Sequence, residues 1–140
     1  MSDVEYLAPS FLFLKQRGFS TTITREDHQN FGNTIVVMSG TLFSLKFERE
    51  RGQTFVDAGN DIFGWHKLEN ILEFVNKGIL PDQLGEPPNL STLAELTKEN
   101  WSAIEAVFRD ASNVDQLRTF SSQKAAMVLK KIFPTYRPFK

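Results

Sequence analysis

The chain has 140 residues, 41% hydrophobic and 24% charged, with a formal charge of −1; this is ordinary globular usage and excludes a disordered chain of low hydrophobicity and high net charge. It contains no cysteine, which excludes disulfides, a thiolate nucleophile and thiolate-ligated zinc or iron–sulfur centres. No run approaches the roughly 20 apolar residues that span a bilayer, and MSDVEYLAPS lacks the basic flank and apolar stretch of a signal peptide, so a cytoplasmic protein is expected.

Leu7, Phe11 and Leu14 recur at helical spacing and predict a helix over about residues 5–16, with Pro9 in its first turn and Gly18 as its stop. FSTTIT then alternates and predicts a strand at 19–25. The polar stretch Arg25 to Asn33 reads as a loop, and TIVVM, apolar on both faces, as a central strand at 33–39. After a turn at Ser39 and Gly40, residues 41–50 place Phe43, Leu45 and Phe47 on one face and Ser44, Lys46 and Glu48 on the other. ERERG turns the chain at Gly52, and a fourth strand at 53–58 closes an antiparallel meander, because connections this short cannot make a parallel crossover.

From Asp61 the period shifts towards 3.6: Trp65, Leu68, Ile71, Leu72 and Val75 predict a second helix over 65–76. A proline- and glycine-rich connector occupies about 78–90. A third helix, capped by Ser91 or Thr92, runs to about Arg109 on Leu93, Leu96, Ile104, Val107 and Phe108. The fourth takes Val114, Leu117, Val128, Leu129 and Ile132 before Pro134, with a break near Ser121 and Ser122. The expected architecture is one α+β domain over 1–140. It has a four-stranded antiparallel meander sheet, with an N-terminal helix and three C-terminal helices packed on one face.

Acid–base or metal chemistry would draw first on the two histidines, His28 and His66. A two-histidine site would need both, with Asp27, Asp61 or Glu69 as third ligand, and no HxH or HxxxH spacing supports it. The glycines form neither a phosphate-cradling loop nor a nucleophile elbow. No catalytic residue, metal or cofactor is therefore expected, and an enzyme whose site is assembled from distant residues stands as the third reading.

Two segments point to partners. Between Lys46 and Asp61, Arg49 and Arg51 with Asp57 have the chemistry to hold a carboxylate or phosphate group. The same alternating charges would also protect a hairpin from edge-to-edge pairing. Asp57 is the sharpest residue, a charge between Val56 and Ala58 in an apolar strand. The short loop after it leads to Trp65 and His66, so Arg49, Arg51, Asp57, Trp65 and His66 form the candidate partner-binding set. The second segment is basic. Residues 1–88 carry eight Lys/Arg against twelve Asp/Glu, residues 89–140 eight against five, and no acid follows Asp115. In KKIFPTYRPFK, Phe133, Tyr136 and Phe139 interleave with Lys131, Arg137 and Lys140. This pattern is used by single-stranded nucleic-acid binders, but one tail falls far short of a groove and two prolines in eleven residues favour a strap packing its rings on the body, so nucleic acid is not the expected partner.

One resemblance bears on this choice. A helix ending in GF, a meander, a strand reading RGQ-x-FVD at Arg51–Asp57 and a helix of the form L-x-x-I-L-x-F at Leu68–Phe74 together resemble small uncharacterised bacterial proteins. Some proteins of this size and layout serve as immunity proteins in toxin and contact-competition systems. The resemblance implies a non-enzymatic protein-binding module that neutralises a toxin by occlusion. A nucleic-acid-associated protein using the basic C-terminal region is the alternative.

Overall fold

The computed structural model describes residues 7–27, 33–76 and 89–132. The alternation read from strand three is the key to the architecture. In β3 (Ser44–Glu50) Leu45 and Phe47 are fully buried while Ser44, Lys46 and Glu48 are only partly covered, so the strand has one dry and one wet face. Its neighbours β2 (Asn33–Ser39) and β4 (Gln53–Asn60) match this phase, with Val36 opposite Phe47, Met38 opposite Leu45 and Val56 opposite Phe47. With β1 (Ser20–Asp27) and β5 (Gly64–Lys67) they form an antiparallel sheet in the order β1-β2-β3-β4-β5. The chain is thus α+β with a five-stranded meander.

Among the described residues five helices complete it: α1 (Phe13–Gln16), α2 (Leu68–Val75), α3 (Leu90–Glu99), α4 (Trp101–Arg109) and α5 (Asn113–Ile132). The dry face of the sheet and the helices share one hydrophobic cluster, in which Val36, Met38, Leu45, Phe47, Val56 and Ala58 meet Ile71, Leu72, Leu93, Ile104 and Leu117. Phenylalanine supplies much of it without a polar group to satisfy. The Phe43 ring stacks on Phe108 at 4.8 Å between centroids and lies 5.4 Å from Phe19 and 5.5 Å from Trp101.

The fifth strand corrects the expectation of four, and it shortens the second helix, which begins at Leu68 and not at 65. Its cause is a tight turn. The Asn60 side-chain carbonyl accepts the backbone N–H groups of Ile62 (3.0 Å) and Phe63 (2.8 Å), its amide donates to the Leu42 carbonyl at 3.0 Å, and Gly64 takes a φ of 74°. This returns the chain beside β4. Gly59, opposite Trp65, is needed there: a Cβ would run into the backbone carbonyl of Gly64. Gly59→Ala should therefore destabilise the fold by about 2 kcal/mol, as overpacking against an immovable neighbour does. Chemical denaturation checks this, and a cost below about 0.5 kcal/mol would show that the hairpin yields.

Three helical boundaries also differ. The third predicted helix is two, because at Asn100 (φ −106°) the side-chain amide donates to the Leu96 carbonyl at 2.8 Å and ends α3. Asn89, not Ser91 or Thr92, is the N-cap of α3, accepting the Thr92 N–H at 3.1 Å. By contrast α5 runs unbroken through Ser121 and Ser122. At the N-terminal end, Pro9–Phe11 form a 3₁₀ turn ahead of the four-residue α1, with Gly18 (φ 85°) behind it. Most of the 78–90 connector and the tail from Phe133 lie outside the described residues.

Candidate functional site: the open face of the sheet

Because successive strand residues point to opposite faces, the wet side of the sheet is built of cross-strand rows whose members the register names. One row runs Ile23, Val37, Lys46, Asp57, Lys67; a second runs Arg25, Ile35, Glu48, Phe55; a third runs Ser39, Ser44, Gly59, Trp65. None of these residues belongs to the hydrophobic core cluster. Three large apolar side chains stand exposed on them: Ile23 at 48%, Phe55 at 40% and Trp65 at 44%. Val37 is buried between its row neighbours Ile23 and Lys46.

Lys46 organises the centre. Its ammonium lies 3.5 Å from the carboxylate of Asp57, its neighbour in the same row, and 5.0 Å from the centroid of the Trp65 ring in the adjacent row. The charge that an apolar strand would not tolerate is thus paired across the ladder, with the two side chains about three-quarters covered (22% and 26% exposed). A pair of this partial burial contributes of the order of 1 kcal/mol. Its larger effect is positional, since the cation restrains the indole against the sheet. At the far end of the face, hydroxyls chain from Ser44 through Ser39 to Thr22, each link 2.9 Å.

The structure divides the five residues singled out in the sequence. Asp57 and Trp65 share the open face. His66, adjacent to Trp65, points the other way: it is 9% exposed, with Nδ1 2.9 Å from the Ser121 hydroxyl and Nε2 3.0 Å from the Phe63 carbonyl. Nδ1 thereby ties β5 to α5, and Nε2 is committed to the turn that leads into β5. Arg51 occupies the tip of the β3–β4 hairpin with a φ of 52°, and Arg49 is half-buried opposite Thr54. Trp65 pairs with Gly59, roughly 20 Å along β4 from Gln53 at ~3.4 Å per residue, so Arg51 does not join it. Lys46 is the member that sequence reading passed over as a solvated strand residue. Among the described residues no group of three or more His, Asp or Glu is placed to hold a metal, and no helix is long and apolar enough to cross a membrane. His28, Arg137 and Lys140 fall outside the described residues.

Comparison of the chain with protein-family models, curated proteins and solved structures finds no match. The functional reading therefore rests on the chain's own geometry.

One titrating group adjoins this face. Glu69, in the first turn of α2, has its carboxyl raised above the ordinary value of 4.5 by burial, with the Asp57 charge adding to the effect; its own backbone N–H and the Lys67 charge oppose it. A carboxyl that holds its proton more tightly folded than unfolded stabilises the fold at low pH, and that contribution is lost as pH rises through the folded value. At neutral pH the ionised group is thus a net cost. Glu69→Gln should raise the melting temperature at pH 7, with the gain disappearing as the pH falls below 4.5. Thermal melts of both proteins from pH 3.5 to 7.5 check the sign; a glutamine variant less stable at pH 7 would mean that the carboxylate is a net stabilising partner.

Proposed function

We propose that the chain is a non-enzymatic protein-binding module that engages its partner through the open face of the sheet, with Trp65 as the anchor. The observation that carries this is the restrained, half-exposed indole of Trp65 beside the Lys46–Asp57 pair, on a face that also exposes Phe55 on β4 and, at the opposite edge, Ile23 on β1. Exposed apolar side chains sharing one face mark interaction surfaces, and tryptophan is among the residues most enriched in binding hot spots. An indole held in place before binding loses less entropy on association. The commitment of both His66 nitrogens to Ser121 and Phe63 supports a structural role for the histidine that sequence reading placed in the site. In its most concrete form the module is an immunity-type protein that covers a toxin's working surface.

Parallel affinity capture from extracts of the native host tests this, with wild type, Trp65→Ala and Met127→Ala as baits. Met127 is a comparably exposed apolar residue on α5. The expected result is one protein retained by wild type and Met127→Ala and lost with Trp65→Ala. Equal retention by all three baits would remove the open face from consideration.

A further inference from the structure

β5 covers only part of β4. It pairs with Asp57 to Asn60 and ends where α2 begins at Leu68. Among the described residues, no strand lies beside Gln53 to Val56 on that side. Which backbone groups this leaves open follows from the hairpin. Arg51 (φ 52°) and Gly52 (φ 80°) make a two-residue loop of the type whose twist suits a hairpin, closed by Glu50 opposite Gln53. The closing pair exchanges both hydrogen bonds, and bonding alternates along an antiparallel ladder, so Gln53, Phe55 and Asp57 bond to β3. Thr54 and Val56 then direct their N–H and C=O groups to the open edge.

A cleft of about 310 Å³ runs along this edge, lined by Thr54 and Val56 themselves, by Leu93 and Phe55, and by charged side chains. Among the described residues those are the carboxylates Glu48, Glu50, Asp57 and Glu69 against the ammonium of Lys67. Asp57 is engaged by Lys46. Among the described residues the cleft thus joins two backbone positions that no strand pairs, an apolar floor and an excess of negative charge, the requirements for an added strand that carries cations.

We infer that the half of the β4 edge that β5 leaves unpaired is a strand-addition site for an extended segment of a protein partner bearing basic side chains. Main-chain bonds to Thr54 and Val56 supply the register. Alternate side chains reach Glu48 and Glu50 on the open face, and Leu93 and Glu69 beneath the edge. The inference rests on the chain being a protein-binding module, but not on Trp65 being its anchor.

The test uses two end-blocked hexapeptides, alternating Lys–Val and alternating Glu–Val, titrated into the full chain while backbone amide exchange is followed residue by residue. The Lys–Val peptide should bind saturably below about 1 mM and slow exchange at Thr54 and Val56, while the Glu–Val peptide does neither. The double variant Glu48→Gln/Glu69→Gln should weaken binding about tenfold or more, and Trp65→Ala should change it less than about twofold. Equal binding of the two peptides, no binding, or binding without slowed exchange at Thr54 and Val56 would overturn the inference. So would concentration-dependent protection of these amides without peptide, which would make a second copy the occupant. Loss with Trp65→Ala but not with the glutamine pair would move the segment to the open face, overturning the edge site while leaving the protein-binding reading intact.

Discussion

Phe43→Ala should lower stability by about 3–5 kcal/mol, the usual cost of truncating a buried phenylalanine. For a domain near this size that is a fall in melting temperature of roughly 10 °C or more. The reason lies in what the ring touches. Phe43 is 3% exposed in the connection between β2 and β3, and it meets Phe19 from the start of β1, Trp101 from the start of α4 and Phe108 from the end of α4. Phe108 in turn packs edge-on against Phe63 in the turn before β5, 5.0 Å away. Removing Phe43 opens a cavity at the junction of the sheet and α4, which flanking aromatic rings are too rigid to fill. Phe43→Leu, which keeps most of the volume, should cost markedly less. Phe55→Ala, on the open face, should cost about 1 kcal/mol or less. Were the Phe43 and Phe55 truncations to cost the same, the aromatic cluster would not be the keystone assigned to it.

The second large effect is on binding. Trp65→Ala should weaken association with the captured partner by at least about 2 kcal/mol, some 30-fold, the threshold of a true hot spot. Stability should move by about 1 kcal/mol at most, since the ring is 44% exposed and its described aromatic contact is the Lys46 ammonium. Lys46→Ala should weaken binding less than Trp65→Ala, because it frees the indole without removing it. Isothermal titration and thermal melting of the two variants measure both quantities. Normal affinity with a large stability loss would make Trp65 part of the scaffold.

Much of this fold is legible in the sequence because the wet and dry faces of β3 and β4 are written in alternation. The hairpin register could have been read too. A two-residue loop at Arg51 and Gly52 sets Glu50 opposite Gln53, and counting back along both strands places Lys46 opposite Asp57. The partner of the buried-strand carboxylate was therefore available by counting. β5 was not legible. Four residues, GWHK, precede a strongly helical pattern, and Trp65 falls three before Leu68, in phase with the helix. A helix turns consecutive residues by about 100°, so Trp65 and His66 could both border one mouth of it, whereas a strand turns them to opposite faces, which is why one is exposed and the other reaches α5. The split at Asn100 depends on a side-chain bond to Leu96 that no periodicity reveals.

If the open face meets a protein partner through Trp65, that indole must leave water on binding. Trp101→Phe leaves Trp65 as the chain's one tryptophan and substitutes a ring for a ring at a buried position. The emission of this variant, recorded alone and in complex with the captured partner stripped of its own tryptophans, reads the environment of that single side chain. A blue shift and loss of iodide quenching are expected on complex formation, as the indole leaves water. An unchanged spectrum with quenching undiminished at saturating partner would contradict binding through Trp65.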